Sequence, residues 1–148
     1  KSDQRRLIMN PLVEKFCDYY KVFSQESIPG LDEIYDQNVV LQDPLSQLEG
    51  LDNVKQHFSQ MRQNVTYCRF EIIDVVGNEG QSMISWNMMF AHPKLNNHQE
   101  IVVAGVSDIK FGERITYHRD YFDVGNMFYE HVPVLKGVIK MLKNRLTV

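Results

Sequence analysis

Gln81-Ser-Met-Ile-Ser-Trp-Asn-Met-Met-Phe-Ala-His92 is the stretch on which the fold turns. Its bulky apolar side chains recur at every second position, at Ile84, Trp86, Met88 and Phe90. A period of two belongs to a half-buried strand. That set therefore faces the interior, and Met83, Ser85, Asn87 and Met89 face outward. Thr66–Val76, Glu100–Phe111 and Arg114–Phe122 read as strands of the same kind. The links between them are Gly77-Asn-Glu-Gly80, Pro93-Lys-Leu-Asn-Asn97 and Gly112-Glu113. Links this short join antiparallel neighbours.

Before these strands the pattern changes to helical spacing. Leu12, Val13, Phe16, Tyr19, Tyr20 and Phe23 mark one helix, with Asn10 as N-cap and Pro11 at its first position. Gly30–Tyr35 reads as a second short helix with Leu31 and Ile34 turned inward, and Val39–Asp43 as a short strand stopped by Pro44. Leu51–Met61 is a third helix, with Leu51, Val54, Phe58 and Met61 on one stripe. Val134–Leu146, introduced by Pro133, is the last. Helices followed by consecutive strands predict an α+β fold, with N-terminal helices laid across a curved antiparallel sheet. The 148 residues are expected to form one domain, 1–148.

Composition excludes several classes. The net charge is −3, so no global basic field is available to hold nucleic acid, and no basic patch is interleaved with aromatics. The two cysteines, Cys17 and Cys68, lie far apart among core-like neighbours and are expected to be reduced and buried. With no signal peptide and no apolar run of membrane-spanning length, the expected location is cytoplasmic. The five histidines show no metal-ligand spacing, and there is no glycine-rich phosphate loop or nucleophile turn. Neither a metal nor an organic cofactor is expected.

The last strand is the unusual one. Thr116, His118, Asp120 and Phe122 share one face, and Tyr117, Arg119 and Tyr121 the other. Polar residues go inward whichever face is buried. A buried His118 beside Asp120 costs several kcal/mol unless each finds a partner. The pair is either a satisfied structural contact or the polar floor of a pocket. In the strand before it, Ile101, Val103, Gly105, Ser107 and Ile109 share a face.

The segment Glu33-Ile-Tyr-Asp-Gln-Asn-Val-Val-Leu-Gln-Asp-Pro44, then Gly50 and the helix from Leu51 to Met61, resembles the nuclear transport factor 2-like superfamily, SnoaL-like and ketosteroid-isomerase-like branch. The resemblance covers nearly the whole chain. It implies a conical pocket in a strongly bent sheet and a homodimer formed through the outer sheet face, towards which Met83 and Met89 also point. Asp43 falls where ketosteroid isomerases keep a general-base aspartate, and Tyr19 where they keep an oxyanion-hole tyrosine. Their third member, a protonated aspartate, aligns with Ser107, a poorer donor. SnoaL-like cyclases keep a His-x-x-x-x-Asp segment on the final strand, and His118 and Asp123 stand at that spacing.

The expected function is a pocket for a small hydrophobic molecule, with isomerase- or cyclase-type acid/base proton transfer. Asp43 is the expected base, and Tyr19, His118 and Asp120 position or protonate the ligand. Trp86, Met88 and Phe90 would form an apolar wall, with Ser107 and Asp123 beside it. The other reading of Asp43 is a turn carboxylate bonding backbone amides. Two other functions remain open: ligand binding without turnover, and docking through the last helix. That helix places Val134, Leu135, Val138, Ile139, Leu142 and Leu146 on one side and mostly Lys136, Lys140, Lys143 and Arg145 on the other, as in helices that make peripheral membrane contact. Docking on the domain itself is the other reading of the same pattern.

Overall fold

The computed structural model describes residues 9–77 and 79–146. Helix α1 (Pro11–Lys21) begins where the Asn10 side chain accepts a hydrogen bond from Leu12 N at 2.9 Å. Pro11 follows as the first helical residue, where its missing N–H costs nothing. A 3-10 segment, Gln25–Glu33, leads into β1 (Tyr35–Gln42), which turns back into the short β2 (Gln47–Glu49). Gly50, at φ 88°, then opens helix α2 (Leu51–Asn64). Only glycine adopts that backbone without strain.

The four long strands are β3 (Tyr67–Val76), β4 (Gln81–Ala91), β5 (Ile101–Phe111) and β6 (Ile115–Phe122). Each lies within about a residue of its expected bounds, though Asn78 in the first link is outside the described residues. They form one six-stranded sheet in the order β2-β1-β6-β5-β4-β3. All neighbours are antiparallel except β1 and β6, which run parallel. This parallel pair departs from the expected all-antiparallel sheet. The helix expected over Gly30–Tyr35 is present as the end of the 3-10 segment, with Leu31 and Ile34 buried, but it stops at Glu33, and Tyr35 opens β1 by pairing with Ile115. Register shifts in β3 between Ile72 and Asp74, and in β1 between Tyr35 and Val40, bend the sheet.

The sheet is curved, and helices α1 and α2 pack over its inner face. Tyr20 of α1 and Phe23, just after it, meet Phe58 of α2 and Phe70 of β3 in edge-on contacts with ring centroids 5.3–6.4 Å apart. Ile84, Trp86 and Phe90 are buried there, as the alternation requires. Met89, expected outward, is buried too. Both cysteines are free and buried.

After β6, a one-turn helix α3 (Val124–Met127) is capped by Asp123, and a 3-10 turn, Tyr129–His131, leads to α4 (Pro133–Leu146). The His131 ring pins this connection through a 2.8 Å hydrogen bond from Nε2 to Asn126 O. Helix α4 buries none of its residues. Among the described residues no helix is long and apolar enough to cross a membrane.

Candidate functional site

The polar residues of β6 and β5 meet on the inner face because of their register. Ser107 is paired with Asp120, and Ile109 with His118. One strand over, Ser107 also faces Ile84, a neighbour of Trp86 on the same face. The parallel pairing places Leu41 beside His118. Tyr35, on the same strand, brings its hydroxyl to 2.7 Å from His118 Nδ1.

The result is a chain of hydrogen bonds through the core. Tyr20 and Tyr35 share a hydroxyl contact of 2.6 Å. His118 Nε2 lies 2.6 Å from Asp120 Oδ1. Ser107 Oγ is 2.5 Å from that oxygen and 2.9 Å from the indole nitrogen of Trp86. The His118 side chain is 2% exposed, whereas that of Asp120 is 24% exposed. Asp120 is thus the member of the chain that reaches toward solvent. Its Oδ1 takes both contacts, and among the described residues Oδ2 makes no hydrogen bond.

The direction of each proton follows from counting donors. An indole N–H only donates. Ser107 therefore accepts from Trp86 and spends its one proton on Asp120. With Asp120 accepting, the proton on His118 Nε2 also points to it, a tautomer assigned by the network. Burial, the largest cause in each case, pushes the hydroxyls of Tyr20 and Tyr35 well above the ordinary tyrosine range. Both stay protonated. When the imidazole is neutral, Tyr20 donates to Tyr35 and Tyr35 donates to Nδ1. Protonating Nδ1 reverses both phenols, so that the Tyr20 O–H needs a different acceptor.

Gly105 makes room for this arrangement. It is paired with Trp86 across β4 and β5, and a Cβ there would sit 2.2 Å from Trp86 Cη2. The bare backbone lets the indole lie across β5 with its nitrogen over Ser107.

Four of the expected site residues, His118, Asp120, Ser107 and Trp86, are brought together. The others are placed as follows. The Asp43 carboxylate accepts hydrogen bonds from the amides of Leu45 at 2.7 Å and Ser46 at 2.9 Å. That is the turn geometry, and no hydrogen bond joins Asp43 to His118 or Asp120. It follows the Gln42–Arg119 pair, where the pairing of β1 with β6 ends. Asp123 caps α3, accepting from Asn126 N at 3.2 Å, and stands apart from the chain. Phe90 is buried and Met88 half-buried on the inner face.

The Tyr19 ring is half-buried, and its enclosed hydroxyl makes no hydrogen bond among the described residues. Its ring packs edge-on against Tyr20 with centroids 5.1 Å apart. Burial raises its pKa, and nearby Ser27 offsets this in part. An enclosed O–H with no partner is costly and calls for an explanation.

Tyr20 and Tyr35 are the residues that sequence reasoning missed as part of the site. Tyr20 was visible only as one aromatic on a helical stripe. Tyr35 gains its role from a strand eighty positions away. On the opposite face of the sheet, Ile73, Ser85, Asn87, Ala104, Val106 and Tyr121 line a shallow groove.

The SnoaL-like domain family matches residues 16–118. No curated protein matches the sequence. Among solved structures, an NTF2-like protein of unknown function from Burkholderia pseudomallei K96243 superposes with a TM-score of 0.72 at 14% identity, covering 84% of this chain and 99% of that one. A Shewanella putrefaciens CN-32 protein named as a SnoaL-like polyketide cyclase gives 0.66 at 17% identity, covering 78% of this chain and 90% of that one. An LEH-like epoxide hydrolase of M. tuberculosis gives 0.65 at 18% identity, covering 90% and 93%. At these identities the likeness is one of fold.

Proposed function

The chain belongs to the SnoaL-like domain family, and from that membership we propose that it binds a small hydrophobic molecule and moves a proton on it by acid/base catalysis. The observation that carries this reading is the buried chain ending in a half-buried carboxylate, with Asp120 Oδ1 held by His118 and Ser107 and Oδ2 unbonded among the described residues. Such an oxygen is a suitable base for a C–H beside a carbonyl. Tyr19, whose hydroxyl has no hydrogen-bond partner among the described residues, is the donor for the oxygen on which charge develops. This reading gives the proton-transfer role to Asp120, while Asp43 caps its own turn. Trp86, Met88 and Phe90 form the apolar wall.

His118 holds the carboxylate. Its Nε2–H donates to Oδ1 at 2.6 Å and so leaves Oδ2 to take the proton, while Tyr35, backed by Tyr20, holds the imidazole from Nδ1. The relatives named as cyclase and epoxide hydrolase support small-molecule chemistry for this fold, and a fold alone does not choose the reaction. The homodimer expected through the outer sheet face belongs to the same reading, supported by the exposed Ile73, Val102 and Tyr121 there.

The test is hydrogen–deuterium exchange beside the carbonyl of a steroid enone and of polyketide-like β-diketones, followed by mass spectrometry. Wild type is expected to accelerate exchange with at least one class. Asp120→Asn should lower that rate by about 10²–10⁴-fold and leave the fold intact. No acceleration with any of the panel, or equal rates in the variant, overturns the proposal.

A further inference from the structure

Helix α4 is the one long helix that adds nothing to the core, since none of its residues is buried. Val134 is 78% exposed, Leu142 50% and Leu146 85%, and Leu135, Val138 and Met141 are exposed as well. On a helical projection these six, with Ile139, occupy one arc of about 160°. Lys136, Lys140 and Lys143 occupy the opposite side with Gly137 and Asn144, and the helix contains no acidic residue. Lys143, in the last turn of the helix, is engaged by Glu130 of the preceding 3-10 turn. Arg145 sits at the far end on the apolar side, where its long stem can carry the charge to an interface. At its root Phe128 and Tyr129 are exposed, with rings 5.6 Å apart.

An amphipathic helix docked on its own domain hides its apolar arc, and this one does not. The charge pattern selects the surface that would cover it. The chain as a whole carries −3, so the basic face of α4 is a local feature set against an acidic remainder. A polar face composed of cations, bordering a wide apolar arc, matches a plane of anionic headgroups over acyl chains. We propose that α4 is an interfacial anchor that lays this domain on an anionic lipid surface. Its apolar arc enters the acyl boundary, and Lys136 and Lys140 meet the headgroups. The helix spans about 21 Å, which suits lying in the plane of the surface.

The experiment is co-sedimentation of the whole chain with phosphatidylcholine vesicles, with and without phosphatidylserine. The protein is expected to sediment with the anionic vesicles only, and less as salt rises. Lys136→Ala/Lys140→Ala should weaken partitioning roughly thirtyfold. Val138→Asp/Leu142→Asp should abolish it. These side chains are exposed, so the thermal midpoint should not move, and the deuterium-exchange activity should persist in both variants. Absence of sedimentation overturns the proposal, as does sedimentation that neither variant changes. A dimer in solution that Val138→Asp/Leu142→Asp converts to monomer also overturns it, because α4 would then be covered by a second copy.

Discussion

Tyr35 and His118 are joined at 2.7 Å, with their rings only 3° from parallel, although 83 residues of sequence separate them. The bond ties β1 to β6, and it joins the two tyrosines to the rest of the polar chain. Tyr35→Phe keeps the ring and removes the link. It leaves Nδ1 of His118 and the Tyr20 hydroxyl buried without their partner, at a cost of about 1–3 kcal/mol. Urea unfolding should show a lower midpoint with an unchanged slope. An unchanged midpoint would show that the contact adds nothing to stability.

The proton directions derived for the chain are visible to magnetic resonance. In neutral His118 the proton should reside on Nε2, facing Asp120. Long-range proton–nitrogen spectra distinguish that tautomer from the alternative. Asp120→Asn replaces an acceptor by an amide that can donate, and should redistribute the two tautomers. A proton found on Nδ1 in wild type would reverse the order of donors between Tyr20 and His118.

Gly105 tests the packing beneath the same chain. An alanine Cβ would lie 2.2 Å from Trp86 Cη2 and 2.6 Å from Cζ2, so the indole must move. Gly105→Ala should destabilise by about 1–3 kcal/mol. Because Trp86 is the single tryptophan, its fluorescence and near-ultraviolet dichroism should change as its bond to Ser107 is lost. Gly112→Ala, where a Cβ meets nothing within 4 Å, is the control and should change neither signal.

Alkali should weaken the fold before it ionises the folded core. Burial pushes the Cys17 thiol up to about 11, against a smaller opposing pull from Lys21. It pushes Cys68 up to about 12, with Arg62 opposing. In the unfolded chain both thiols lose their protons near 9.0, so above that pH the unfolded state binds fewer protons than the folded one. The stabilisation is complete below pH about 9 and is lost as pH rises toward 11–12. The slope approaches 1.4 kcal/mol per pH unit for each thiol, to order of magnitude, hence about 2.7 for the two. Tyr20 and Tyr35 add loss of the same sign at higher pH. Urea midpoints measured across this range should fall, and Cys17→Ala/Cys68→Ala should remove part of the fall.

Local pattern carried the long strands and their faces, because alternation is a property of consecutive residues. Ile84, Trp86 and Phe90 are buried as that pattern required. The reading was weaker where distant pairing decides. Tyr35 reads as the end of a helix, since Glu33-Ile-Tyr has no strand signal of its own until β6 lies parallel beside it. Met89 points away from the inner face yet is buried, which alternation alone does not convey. His118 and Asp120 were legible as a site because a polar pair on an apolar face is conspicuous. Tyr20 was not, because a tyrosine among aromatics looks like packing. The amphipathic pattern of α4 was equally plain, but whether the domain itself covers it depends on the path of Val124–Val132.

The parallel pairing of β1 with β6 also sets an order of assembly during synthesis. The β3–β4–β5 meander is built from neighbours in sequence and can form as it emerges. Strand β1 has one side paired by β2, and its other side stays open until β6 is made. At ribosomal speeds that interval is on the order of ten seconds. Throughout it, Tyr35 and the N-terminal helix lack the imidazole they are built around, and an unpaired strand edge is exposed to other chains. A nascent chain stalled before His118 is therefore the species most in need of a chaperone.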